Sequence, residues 1–235
     1  MRKEFFSEFL GTFSMVFIGC LAIKMEFSGP IVSFAFGFAV FLVILLSRRF
    51  SGAHINPAVS IAFTITGQLE RRLLPVYVVA QLGGGLCAAL TIGEYGATEF
   101  STSYSNGIII EVIITFLLMF GIYLTIWQTD SDAYVATAVG SIVGLLAFYF
   151  GQYTGASMNP ARTFGPNIVS SAINQIPIYA ICTVIGAFIA AILAKKLNKS
   201  YQSWQGFNSK SLTIWDTHDR EAYYPQIEET RFKDK

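Results

Sequence analysis

Asn-Pro-Ala occurs twice in this 235-residue chain, at Asn56-Pro57-Ala58 and at Asn159-Pro160-Ala161. Asparagine caps helix N-termini with its side-chain oxygen, and proline suits the first helical turn, where its missing N–H has no partner to lose. Each box therefore reads as the start of a short helix. Two such starts brought together would aim two helix N-termini at one spot and create a local positive potential. Their capping Asn side chains would offer N–H donors to a passing oxygen. Arg162 follows the second box directly, where the first box is followed by Val59. A charge at membrane depth is costly and points to function by default. Glu8 and Glu111 are acids inside apolar stretches; two acids without a nucleophile or base are not a catalytic pair. His54 and His218 are the only two histidines, and a single loop histidine makes no metal site. Cys20, Cys87 and Cys182 are far apart with no C-x-x-C spacing and read as small buried hydrophobes. The inventory holds donors and one fixed cation but no reaction centre, so the chain reads as neither enzyme nor cofactor or metal protein.

Such residues need elements that hold them at depth. The chain is 53% hydrophobic and 13% charged, against about a quarter charged in a soluble domain. Its solvent is lipid. A net charge of +1 offers no bulk basic field, which argues against a nucleic-acid partner. A helix spans the hydrocarbon core with about 20 mostly apolar residues, and six stretches qualify, near 5–23, 30–46, 73–92, 107–127, 133–150 and 176–194. Two more, near 57–66 and 160–170, are apolar but too short to span. The first run lacks a cleavage site and reads as a retained signal anchor. From Lys195 the chain turns polar, so the reading is a transmembrane domain at 1–195 and a cytoplasmic tail at 196–235. Arg2, Lys3, Arg48, Arg49, Arg71, Arg72, Lys195 and Lys196 all fall on one side if the helices number six. Both termini are then expected in the cytoplasm, with the plasma membrane as the expected location.

An internal repeat ties elements and residues together. Glu8 and Glu111, Asn56 and Asn159, Ala35 and Ala138, and Gly37 and Gly140 are all 103 residues apart. Each half, 1–92 and 107–195, holds three spanning stretches and one short one. An odd number per half makes the second half enter the membrane inverted. The short segments then dip in from opposite faces and meet near the midplane. The predicted fold is an all-α membrane protein of six transmembrane helices and two re-entrant half-helices.

These residues resemble the aquaporin (major intrinsic protein) family over about 4–195: both boxes, the Ser51-Gly-Ala-His54 and Thr154-Gly155 leads, and the Ala161-Arg162 pair. The resemblance implies a passive channel, with Arg162 lining a filter, His54 at a pore mouth, and Glu8 and Glu111 supporting the re-entrant loops. The filter maps onto Phe36, Ala147, Ala156 and Arg162. Strict water channels usually carry His where this chain has Ala147, which implies a wider, less polar filter. Glycerol facilitators typically have Asp after the filter Arg and Lys four residues later; Thr163 and Asn167 stand here instead. Together with short links, this leans the resemblance toward water channels, with glycerol, urea or other small neutral solutes as further permeants. Ala156 stands at the family's mercury-sensitive cysteine position. The family also implies a homotetramer.

Four other readings compete. A coupled transporter needs more charged groups at mid-membrane than Glu8, Glu111 and Arg162 supply. An ion channel for cations is opposed by paired helix N-termini and Arg162. A glycerol- or urea-type facilitator, and a closed structural member of the same family, share all these motifs and are separated only by pore shape.

Overall fold

The computed structural model describes residues 1–208. Among them run eight α-helices: α1 (Arg2–Lys24), α2 (Gly29–Ser51), α3 (Pro57–Thr66), α4 (Leu74–Ile92), α5 (Tyr104–Gln128), α6 (Asp132–Thr154), α7 (Pro160–Val169) and α8 (Ile176–Asn208). Six are long and apolar enough to cross a membrane. At about 1.5 Å per residue, the 10-residue α3 and α7 are each about 15 Å long, half of a hydrocarbon core about 30 Å thick. Two stubs end to end therefore fill one span.

Two boundaries depart from expectation. Helix α2 runs past the apolar stretch to Ser51, through Arg48, which is 6% exposed and reaches Asp132 Oδ1 at 2.5 Å. Helix α8 does not stop near 194 but continues through Lys195 and Lys196 to Asn208. Composition at Lys195 reports where the helix leaves the apolar layer; its backbone hydrogen bonding needs no such layer. The expected tail boundary thus cuts a continuous helix, and 209–235 lie outside the described residues.

Packing repeats in pairs. α1 packs on α2 and α4 as α5 packs on α6 and α8, while α2 and α6 pack on each other. The stubs cross over: α3 lies mainly against α8, and α7 mainly against α4. Where α2 meets α6, Gly37 and Gly140 face each other. A Cβ on Gly37 would stand 2.6 Å from the Gly140 carbonyl oxygen, and one on Gly140 2.7 Å from that of Gly37. No side chain fits between these backbones, which is how helices approach closely where lipid supplies no hydrophobic drive. The two residues are repeat mates, so the pseudo-two-fold axis passes between them. Large apolar side chains such as Phe34, Val79, Leu90 and Ile181 are exposed on the outer faces, as befits a surface solvated by acyl chains.

Candidate pore

Each Asn caps its own stub. Asn56 Oδ1 accepts from the Ala58 N–H at 2.9 Å, and Asn159 Oδ1 from those of Ala161 at 2.9 Å and Arg162 at 3.4 Å. Pro57 and Pro160 open the helices. The Asn amides then cross over: Asn56 Nδ2 donates to the Met158 carbonyl and Asn159 Nδ2 to that of Ile55, both at 2.8 Å. The stub tips are therefore bolted together. Each amide spends one N–H on the bolt, and Asn159 Nδ2 also lies 3.9 Å from Met15 Sδ.

The chain leading into each stub is not helical, and its polar groups must be satisfied within the protein. Helices α2 and α6 end at Gly52 (φ 83) and Gly155 (φ 70). Beyond them Ala53, Ile55, Ala156 and Met158 all have φ between 41 and 54, a left-handed backbone that is uncommon for such residues and kept only where the surroundings hold it. Glu8 and Glu111 are what hold it. Glu8 accepts from Ser51 Oγ (2.7 Å), His54 N (2.9 Å), Ile55 N (2.6 Å) and Gln81 Nε2 (2.7 Å). Glu111 accepts from Thr154 Oγ1 (2.7 Å), Ser157 N (2.9 Å) and Met158 N (3.0 Å). Both carboxylates are fully buried with these donors around them. Tyr77 and Tyr179 complete the matched sets by donating to the carbonyls of Ser51 at 2.7 Å and Thr154 at 2.6 Å.

One cavity of about 870 Å³ threads this arrangement. Its wall includes Phe36, Ala147, Ala156 and Arg162, together with His54, Asn56 and Asn159. Pro57, Ala58, Pro160 and Ala161 are buried behind the tips and do not line it. Only the Asn of each box reaches the lumen. Val40, Val59 and Val143 make much of the wall apolar. Arg162 is 5% exposed; its guanidinium donates to the Gly96 carbonyl and lies 4.8 Å from the Phe36 ring centroid. His54 sits between Phe63 and Tyr77, with ring centroids 4.6 and 5.0 Å away, and its Nδ1 is 3.1 Å from Ser60 Oγ. Among the described residues no cluster of metal-ligating side chains forms.

Phe36, His54, Asn56, Ala147, Ala156, Asn159 and Arg162 thus gather on one lumen, with Glu8 and Glu111 holding the loops behind it; of the three cysteines read as buried, Cys20 and Cys182 are buried but Cys87 is exposed, and His218 lies outside the described residues. Gly96, Thr98, Gln81 and the pairing of Tyr77 with Tyr179 were missed. The tyrosines are 102 residues apart rather than 103, so a fixed offset passes over them; a one-residue slip would have found them.

A family model described as Major intrinsic protein matches residues 1–194. Aquaporin NIP1-1 of Zea mays is 34% identical over 206 residues, which span 80% of this chain and 72% of that one. Aquaporin NIP3-1 of Arabidopsis thaliana is 33% identical over 226 residues, 85% and 69% of the two chains. Among solved structures, the aquaglyceroporin from Plasmodium falciparum matches with a TM-score of 0.77 at 25% identity, covering 83% of this chain and 96% of that one. With relatives of both descriptions, the chain is not set clearly nearer to water channels than to glycerol facilitators.

Proposed function

The chain belongs to the major intrinsic protein family of passive membrane channels, and from that premise we propose that its lumen conducts water together with small neutral solutes of the glycerol and urea class, and excludes protons and ions. The observation that carries this reading is the pair of Asn tips, locked reciprocally inside one cavity with Arg162 on its wall. A molecule in single file gives up water contacts; the Asn amides, the guanidinium and the carbonyls of the left-handed segments replace them, while the valines offer nothing to an ion's hydration shell.

In this reading Phe36, Ala147, Ala156 and Arg162 form the selectivity filter, His54 lines a mouth, and Glu8 and Glu111 support the loops. Both termini lie in the cytoplasm, the halves 1–92 and 107–195 form one channel domain, and the channel is a plasma-membrane homotetramer with one pore per subunit. Ala147 favours the solute-permeant side: a methyl group on the cavity wall leaves room that an imidazole would fill. A conducting pore is read over a closed structural member because one continuous cavity is lined by His54, both Asn tips and Arg162.

Stopped-flow measurements on proteoliposomes under water, glycerol and urea gradients test this. The expected result is osmotic water flux with a low activation energy, measurable solute flux, and solute flux reduced severalfold by Ala147→His. Absence of osmotic flux above empty liposomes would overturn the channel reading; unchanged solute-to-water ratios in Ala147→His would overturn the filter.

A further inference from the structure

The four filter positions have repeat mates of their own. At the offset of 103 residues, Phe36 answers to Val139, Ala147 to Ile44, Ala156 to Ala53 and Arg162 to Val59. All four mates are buried, and all four line the same cavity. The Asn tips are mates as well, so the pseudo-two-fold axis passes between them. The second set therefore stands as far from the tips on the His54 side as the filter stands on the other. None of its side chains can donate or accept a hydrogen bond. We propose that Ile44, Val59 and Val139, closed by Ala53, form a second, apolar selectivity ring that sets the upper girth of the neutral solutes admitted. This rests on the reading of the cavity as a solute-conducting lumen.

Three features make the ring a sieve. The first is where the bulk lies. In the filter, the Arg162 guanidinium lies 4.8 Å from the Phe36 ring centroid, so the two large side chains are gathered against each other and Ala147 and Ala156 leave the rest open. In the second ring three of four positions carry branched side chains, with Ile44 where the filter has Ala147. The second is stiffness. Ile44 is on α2, Val59 on α3 and Val139 on α6, and a β-branched side chain within a helix is held to one χ1 rotamer. Phe36 and Arg162 lack that branch and can swing aside; the ring cannot. The third is the backbone beneath. Val139 adjoins Gly140 and Ile44 lies about two turns beyond Gly37, so both stand on helices already in backbone contact. Ala53 has φ 51 in the segment that Glu8 holds through the His54 and Ile55 N–H groups. A solute crosses filter and ring in series. Added alkyl bulk that the open filter tolerates must still pass a ring of fixed width, where pore diameter alone discriminates.

Urea and 1,3-dimethylurea share a carbonyl and differ by two methyl groups, so their flux ratio in proteoliposomes reads girth. Ile44→Ala and Val139→Ala are expected to raise the dimethylurea-to-urea ratio at least threefold. Leu46→Ala, on the exposed side of α2 two residues on, is expected to keep the wild-type ratio. If it raises the ratio as much as Ile44→Ala, loosening of α2 is responsible and the ring proposal falls. Ala147→His is measured in parallel. If it lowers the ratio while both ring variants leave it unchanged, girth is set at the filter; the ring fails and the channel reading stands. If no variant, nor the wild type, passes urea faster than empty liposomes, the solute-channel reading fails and takes the ring with it. Should Ile44→Ala not reconstitute, Val139→Ala and the milder Ile44→Val, expected to shift the ratio the same way, decide.

Discussion

Arg162 places a full positive charge where an entering cation has little water around it. At about 4 Å and an effective dielectric near 20, two unit charges repel by about 4 kcal/mol, roughly a thousandfold in occupancy. The stub tips add about half a charge each, together about one more unit charge at greater depth. Arg162 should therefore supply a large share of charge exclusion, alongside the tips. Arg162→Val copies the residue that the first repeat carries at Val59, and is expected to admit protons or small cations while osmotic flux persists. A pH-sensitive dye inside liposomes under a proton gradient reads this directly. Proton impermeability equal to wild type would shift the barrier to the Asn tips alone. The Arg was legible in the sequence because charge is rare in an apolar run. Its acceptor was not, since Gly96 lies in a connection with no periodicity and no repeat mate.

At the scale of elements, the re-entrant backbone depends on two carboxylates surrounded by donors. Replacing either by Gln turns one oxygen into an N–H₂ group that must face a donor. In Glu111→Gln the new amide meets Ser157 N on one side or Met158 N on the other, both main-chain groups that cannot turn away. In Glu8→Gln one side also meets the Gln81 amide, whose oxygen is buried without a partner and can be turned to accept. A buried donor left unsatisfied costs about 1–3 kcal/mol. Both variants should unfold at lower temperature in detergent, with Glu111→Gln the more affected; the reverse order would mean that the Gln81 amide does not reorient. The helices themselves were legible from hydrophobic length, and the stubs from Pro after a capping Asn. The end of α8 was not, because polarity changes at Lys195 while the helical backbone does not. The shared support from Tyr77 and Tyr179 was hidden by one residue of slippage between the halves.

For the whole molecule, the inverted repeat could be read from a single offset, since equal spacing of Glu8, Gly37 and Asn56 from their mates leaves little freedom in how the halves stack. The axis they share was legible only as two glycines; that they touch is a fact of the folded chain. Because Gly37 and Gly140 meet backbone to backbone, a methyl on either cannot rotate away, and α2 and α6 must separate. Overpacking of this kind costs about 1–3 kcal/mol. Gly37→Ala and Gly140→Ala should each destabilise by that amount. In the double variant the second methyl enters a gap already opened by the first, so its cost should be lower than the sum by at least about 0.5 kcal/mol, as for residues in contact. The same separation carries into the lumen, because Phe36 sits on α2 and Ala147 on α6. Either single variant should then raise glycerol relative to water flux. Additive thermal shifts with an unchanged flux ratio would mean that the helices absorb the methyls locally, and that filter width is not set at the axis.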